Sequence, residues 1–409
     1  LSSGSGDGWL QRHQRPLFLV ASGLSTSGSF AGLTAKGWIL MAGTGNPLLL
    51  ALHFAALALP SLLVSGRAGV LTDRLGCETM LIRSQWGLFG GAALGALAIP
   101  LLQGTGQVVL LLLSTLVVGV SSSFELTARS KYCSLLVERP EQVAPYLASF
   151  SVVFNVGKLV GPPLGGWLVA LSGPAMALAI DAASYLLPIA TVIWLLRPHR
   201  ELEQRSAGGE GASLGAAWRD CGSTLRHVLR FTTVACLVGF FHPGLAPLIA
   251  AEVIGPSPQA LGLFTSVLAA GSIAGGVMLQ RNSLALSERP VLLLGGCTVL
   301  VALAQLGMAA ATRGTAALAM ALLIGAGTAG LLAGSNLILQ VGAPMALRGR
   351  TAGLGQIAFL GGGGVSGLVA AVLAMTLGLP TTFALLGGLG LVVGVLELGR
   401  NGALRLRSA

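Results

Sequence analysis

Gly66-Arg-Ala-Gly69-Val-Leu-Thr-Asp73-Arg74-Leu-Gly76 is a charged island between two apolar runs, residues 47–70 and 80–102. Two arginines and an aspartate sit there in otherwise uncharged sequence. A chain has this appearance where it leaves one membrane span and enters the next, because a span needs ~20 mostly apolar residues. Reading outward gives twelve such runs: 17–42, 47–70, 80–102, 107–131, 146–171, 175–196, 231–254, 259–280, 290–311, 315–341, 351–377 and 381–399. Barrel strands alternate polar and apolar residues over ~10 positions, and these runs do not. The expected class is all-α and transmembrane.

Composition agrees. Hydrophobic residues make up 54% of the 409, and charged residues only 9%. A soluble domain carries about 25% charged residues. The chain therefore cannot cover a water-facing surface, which excludes a soluble enzyme, a disordered tail and a nucleic-acid-binding domain. Gly is 60 of 409, about twice its average usage of ~7%, as closely packed membrane helices require. The five cysteines contain no CxxC pair, so neither a disulfide framework nor a metal site is expected. Arg12 and Arg15 resemble the start of a signal peptide, but no short apolar core with a small-residue cleavage site follows, and the first span is read as retained.

With the N-terminus cytoplasmic, 21 of the 24 Lys and Arg fall in inner loops or tails. Only Arg313 lies in an outer loop, while Lys36 and Lys158 fall within spans. The asymmetry places both termini inside. Residues 197–230 are polar and charged, with a flexible centre at Ala207–Gly211. They divide the chain into an N-terminal half, 1–196, and a C-terminal half, 231–409, each of six spans. Two such halves around a cytoplasmic linker suggest a transporter built from repeats. No GxxxxGK[ST] phosphate loop occurs, so ATP is not expected to supply the energy.

The island resembles the signature loop of the major facilitator superfamily, GxLaDrxGrk, through Gly69, Asp73, Arg74 and Gly76. In that family the loop latches the two halves on the cytoplasmic side. Gly69 is expected to permit close helix approach, and Asp73 to meet the partial charge of a helix end. The two basic residues that usually follow are replaced by Cys77 and Glu78. Span five carries Gly157-Lys-Leu-Val-Gly161-Pro162-Pro163-Leu-Gly165-Gly166, which is similar to the gxxxGPxxGG pattern of the superfamily's antiporters. Gly157, Gly161 and Gly165 recur every four residues and form a small-residue packing face. Pro162 and Pro163 remove backbone donors and should bend the helix.

Phe124–Arg129, Asn155, Ile180–Tyr185 and Asn336–Arg350 follow the order seen in the enterobactin-exporter-like branch, a group of secretion and drug-efflux proteins. The resemblance implies a twelve-helix fold of two six-helix pseudo-repeat halves. Two usual coupling positions differ. An acidic residue often follows Ser-x-Gly in the first helix of that branch, where this chain has Ser27-Gly28-Ser29. A buried Arg often precedes a Gly by four residues in helix four, where this chain has Thr115.

Charges inside spans cost at least ~2.5–3.5 kcal/mol, so each needs a reason. Lys158 shares a helix face with Ser151, Asn155 and Pro162, a face expected to line a central cavity, where Lys158 either attracts an anionic substrate or exchanges with its counter-ion, or is a cation satisfied by backbone carbonyls or pore water. Glu125 and Arg129, one turn apart, are expected to pair. Asp181, ~10 Å below the outer surface by helix rise, is a candidate proton carrier or a partner of Lys36. His242, in Phe240-Phe-His-Pro243-Gly-Leu-Ala-Pro247, suggests an interrupted helix. His53, Gln305, Asn336, Gln340 and Gln356 are further polar candidates. Lys36, ~9 Å from the outer end of helix one, and Glu252, at the outer end of helix seven, are expected to pair as an outer gate.

The functional expectation is a secondary transporter of the inner membrane, an antiporter exporting a small amphipathic or siderophore-like molecule. A lysophospholipid transporter and a non-transporting scaffold or assembly factor of the same fold are the alternatives. The expected partners are a small-molecule substrate, the lipid bilayer and a proton or other coupling ion. No nucleic acid, cofactor or metal is expected, and the chain is expected to act as a monomer.

Overall fold

The computed structural model describes residues 6–136, 143–195, 218–219, 221–281, 289–343 and 348–400. Among these the long elements are all helices: α1 (Gly6–Thr44), α2 (Pro47–Ala58), α3 (Pro60–Leu75), α4 (Cys77–Leu101), α5 (Thr105–Leu135), α6 (Val143–Ser172), α7 (Pro174–Ser184), α8 (Leu186–Ala190), α9 (Ser223–Gly239), α10 (His242–Val253), α11 (Pro258–Arg281), α12 (Pro290–Ala309), α13 (Gly314–Gly342), α14 (Arg348–Leu377) and α15 (Leu379–Leu398). Among the described residues, ten helical segments are long and apolar enough to cross a membrane. Leu63, Leu101, Leu171, Met278 and Leu396 expose most of their surface. Apolar exposure on this scale suits lipid, since a soluble protein rarely carries large contiguous apolar patches.

Proline sets the breaks. Pro60, Pro188 and Pro243 each lack the N–H that would bond four residues back, and the second, sixth and seventh spans break just before them. The sixth span ends in a π-helical turn, Thr191–Leu195. Pro162 and Pro163, by contrast, lie inside an uninterrupted α6. The turn into the second span is built from Gly45 at φ 58° and from Asn46, whose Oδ1 accepts the Leu48 N–H at 2.9 Å ahead of the helix.

The chain forms two compact units, one of residues 1–39 and 63–211, the other of residues 40–62 and 212–409. In the first unit, glycine sets how closely helices approach. A Cβ at Gly157 would lie 2.8 Å from Thr26 Cγ2, one at Gly161 2.6 Å from the Ser27 carbonyl oxygen, and one at Gly165 2.7 Å from Ala31 Cα. The small-residue face of α6 is therefore the seam against α1. An aromatic group closes one end of this unit, with Phe18 against Tyr132 at 5.3 Å and Phe150 at 5.5 Å. Arg15 Nε donates there to the Leu136 carbonyl at the end of α5, 3.0 Å away.

In the second unit, Gly271 and Gly275 of α11 press on Leu322 and Ala326 of α13. The hairpin of residues 40–62 clusters with α10 and α14 rather than with the rest of the chain before the linker. Gly364 and Gly361 make room for Leu59 and Leu62, and Gly244 lies beside Phe54. The seventh span begins at Ser223, eight residues before its apolar run and inside the segment expected to be linker. Leu225, Val228 and Leu229 are buried in the core of this unit, so the helix continues where hydropathy has already fallen.

The linker centre Ala207–Gly211 lies outside the described residues, as do the side chains of Asp73, Ser151, Asn155, Gln340 and Gln356.

Candidate functional site

Buried charge in the first unit gathers at two places. Lys36 of α1 is 3% exposed. Its Nζ donates to Ser114 Oγ of α5 at 2.7 Å, and that hydroxyl donates on to the Gly91 carbonyl of α4 at 2.6 Å. Gly95 makes room for this arrangement, since a Cβ there would lie 2.8 Å from Ser114 Oγ and 2.9 Å from Lys36 Cε.

Asp181 of α7 is also 3% exposed. It is pressed against α1 where Gly32 has no side chain, and a Cβ at Gly32 would lie 2.8 Å from Asp181 Cβ. The Tyr185 hydroxyl donates to its carboxylate and shares a further hydrogen bond with Ser29. Lys36 and Asp181 interact electrostatically, yet the ammonium is spent on Ser114. Asp181 Oδ1 has no hydrogen-bond partner among the described residues. One turn of α7 further on, Ser184 donates to the Asp181 backbone carbonyl at 2.7 Å.

The second place is Glu125. Its Oε1 lies 3.4 Å from Arg129 Nε and accepts a bond from Gln85 Nε2 of α4 at 3.3 Å. The guanidinium of Arg129 also sits over the Phe150 ring, 5.8 Å from its centroid. The pair expected from i,i+4 spacing is thus formed and tied to two neighbouring helices. Glu125 also acts electrostatically on Tyr185, so Tyr185 stands within range of both carboxylates.

The other expected residues are placed as follows. Lys158 is half-buried on α6, and no described acidic side chain pairs with it. Thr115 is turned into its own helix, where it donates to the Leu111 carbonyl at 3.0 Å. Glu252 is exposed near the end of α10. It belongs to a different unit from Lys36, whose ammonium is engaged within its own. Arg74 is exposed, and a Cβ at Gly69 would meet no described atom within 4 Å. Gly76 adopts φ 87° ahead of α4, a left-handed conformation that explains why the island ends in glycine.

In the second unit the seventh span is interrupted at Phe240–Phe241, beside His242 as its two prolines suggested. Pro243 cannot bond the Gly239 carbonyl, and the buried Gln305 of α12 donates to it instead, at 3.1 Å. His242 is buried, its ring edge-on to Phe240 at 5.2 Å, and His53 is buried on α2. Asn336 is half-buried, near Gly355. Sequence reading missed one cluster here. Glu397, 2% exposed near the end of α15, accepts from His227 Nε2 at 2.9 Å and lies 3.6 Å from Arg400. The signal was available, since Glu397 is a carboxylate at the edge of an apolar run. Ser114 was missed for want of any such signal. No group of three or more His, Cys, Asp or Glu that could hold a metal occurs among the described residues.

Taken together, these are membrane helices in which Lys36, Asp181, Glu125 and Glu397 are buried and tied to neighbouring helices, with the second, sixth and seventh spans interrupted. Soluble enzymes carry no such arrangement; proteins that move solutes across bilayers do. A family model described as transmembrane secretion effector matches residues 11–406. The chain is 26% identical over 401 residues to the multidrug efflux pump Tap of Mycolicibacterium fortuitum, spanning 94% of this chain and 95% of that one. Among solved structures it resembles a D-xylose–proton symporter, with TM-score 0.77, 12% identity, and 97% of this chain and 99% of that one covered. It also resembles the nucleoside transporter NupG, with TM-score 0.72, 11% identity and coverage of 94% and 98%. A POT family transporter in complex with 5-aminolevulinic acid gives TM-score 0.73, 12% identity and coverage of 95% and 96%. At such identities the structures share the fold alone. The chain belongs to the transmembrane secretion effector family, multi-pass membrane transporters of the major facilitator fold.

Proposed function

We propose that this chain is an antiporter that exports a small amphipathic molecule, siderophore-like or drug-like, across the inner membrane by alternating access. Both termini then lie in the cytoplasm. The observation that carries the coupled mechanism is the buried charge of the first unit. Lys36, Asp181 and Glu125 each bear an insertion cost of at least ~2.5–3.5 kcal/mol, which a passive pore or a scaffold has no reason to retain. The export direction is supported by likeness to an efflux pump along 94% of this chain. Lys158 and Asn155 on α6, with His242 beside the break in the seventh span, are the proposed substrate contacts. Gly69, Asp73, Arg74 and Gly76 are the proposed latch.

Everted membrane vesicles containing the protein test this reading, with ethidium as the probe. Energised vesicles should accumulate ethidium, and a protonophore should abolish the accumulation. Vesicles that move lysophospholipid but no ethidium contradict the substrate assignment. Vesicles that move neither contradict transport itself.

A further inference from the structure

The Lys36–Asp181 arrangement is unlike an ordinary buried ion pair. Two opposite charges, both almost fully buried, lie within electrostatic range across α1 and α7. A fixed structural pair would place the ammonium on the carboxylate, because only close contact with saturated hydrogen bonds offsets the loss of hydration. Here the ammonium is instead 2.7 Å from the Ser114 hydroxyl. Asp181 keeps one oxygen on Tyr185 and leaves Oδ1 without a hydrogen-bond partner among the described residues. A buried, unpartnered carboxylate oxygen is costly when ionised, and a bound proton removes that charge.

We propose that Asp181 is the proton-loading site of the first unit and Lys36 its internal counter-ion, the ammonium changing partner between Ser114 and Asp181 as the proton comes and goes. In the loaded form, the proton is bonded to a carboxylate oxygen and Lys36 donates to Ser114, as in this structure. On release the O–H bond breaks and the proton leaves to water. The Lys36 ammonium gives up its hydrogen bond to Ser114 and pairs with Oδ1. Ser114 is suited to be let go, because its own proton already bonds the Gly91 carbonyl at 2.6 Å. The site carries a net charge of one when loaded and none when empty. A lysine stem has the reach and rotamer freedom for such an exchange, and Gly32 and Gly95 hold open the space on either side.

The groups that face Asp181 are few. Lys36 faces it from α1 and Tyr185 from the end of its own helix. Glu125 of α5 reaches it only through Tyr185. No described titratable side chain of α4 or α6 interacts with it. The proton site itself does not depend on the export reading, but its use in transport rests on that reading.

The test is infrared spectroscopy of the purified protein in liposomes during a pH titration, with ethidium transport measured on the same preparation. Wild type should show a carboxylic-acid C=O band that is lost as the pH rises. Asp181→Asn should lack the band, and Tyr185→Phe should shift its frequency while keeping it. The second readout is a double-mutant cycle in thermal stability, run at a pH above that at which the band is lost, where Asp181 is ionised and paired with Lys36. Lys36→Met and Asp181→Asn should each lower the apparent melting temperature, and the double variant should recover much of the loss. A titrating band that survives in Asp181→Asn, or strictly additive losses in the cycle, overturns the proposal. If Asp181→Asn does not fold, an unshifted band in Tyr185→Phe overturns it equally. Wild-type protein that shows the band but moves no ethidium leaves the proton site standing and defeats the export reading instead.

Discussion

Gly165→Ala and Gly69→Ala place the same methyl group in two sequence motifs with opposite expected outcomes. At Gly165 the new Cβ would lie 2.7 Å from Ala31 Cα and 2.8 Å from Ala31 C, both backbone atoms that no rotamer change can remove. Ordinary van der Waals contact begins at 3.4 Å, so clearing Ala31 Cα alone parts α1 and α6 by about 0.7 Å, and the Ala31 carbonyl oxygen, which lies nearer still, asks for more. A gap of that size forfeits roughly a quarter to a half of the dispersion well for each pair of atoms along the seam. Overpacking of this kind costs about 1–3 kcal/mol. Replacing glycine by alanine within a helix returns about 0.5–1 kcal/mol, which leaves Gly165→Ala destabilised by up to about 2.5 kcal/mol. At Gly69 a Cβ meets no described atom within 4 Å, only the helix contribution remains, and the variant should be stabilised by about 0.5–1 kcal/mol. The assay is the apparent melting temperature of each purified variant in one detergent. Shifts of the same sign would refute the assignment of Gly165 to a packing seam and of Gly69 to open space.

Gln305→Leu should destabilise by about 1–3 kcal/mol in the same assay, because the Gly239 carbonyl loses its donor at a helix break. Glu397→Ala should lower the melting temperature more than Arg400→Ala does, since Glu397 is 2% exposed and Arg400 59%, and exposed ion pairs contribute only about 0–1 kcal/mol. For orientation, Cys77 and Cys221 are poor reporters because both are buried. Ser223→Cys and Gln103→Cys, at exposed positions, should label with an impermeant maleimide from the cytoplasm and from outside respectively. The reverse pattern would overturn the orientation read from the basic loops.

The spans were legible because a bilayer demands long apolar runs, and apart from the early start of α1 at Gly6 most of their limits lie within a few residues of the described helices. The start of the seventh span was not. Leu225, Val228 and Leu229 are spaced among Arg226, His227 and Arg230, so mean hydropathy falls while the helix continues. The clustering of residues 40–62 with α10 and α14 depends on packing between segments hundreds of residues apart, which no local pattern records. Within the candidate site, Glu125 and Arg129 were legible because i,i+4 spacing alone brings them together. Lys36 was legible as an expense but not its partner, since Ser114 is 78 residues away. Adjacent helix positions point about 100° apart, so Ser114 reaches Lys36 while Thr115 bonds its own helix. Close packing was expected both at Gly69 and at Gly157, Gly161 and Gly165; the last three touch α1, whereas a Cβ at Gly69 meets no described atom.

The most direct test of proton-coupled export uses purified protein in liposomes with an imposed pH gradient, acidic inside, and equal ethidium on both sides. Antiport predicts that ethidium concentrates in the acidic lumen, in step with alkalinisation of that lumen, and that both stop when the gradient is collapsed. Ethidium that only equilibrates, at the same rate with and without the gradient, would contradict the account.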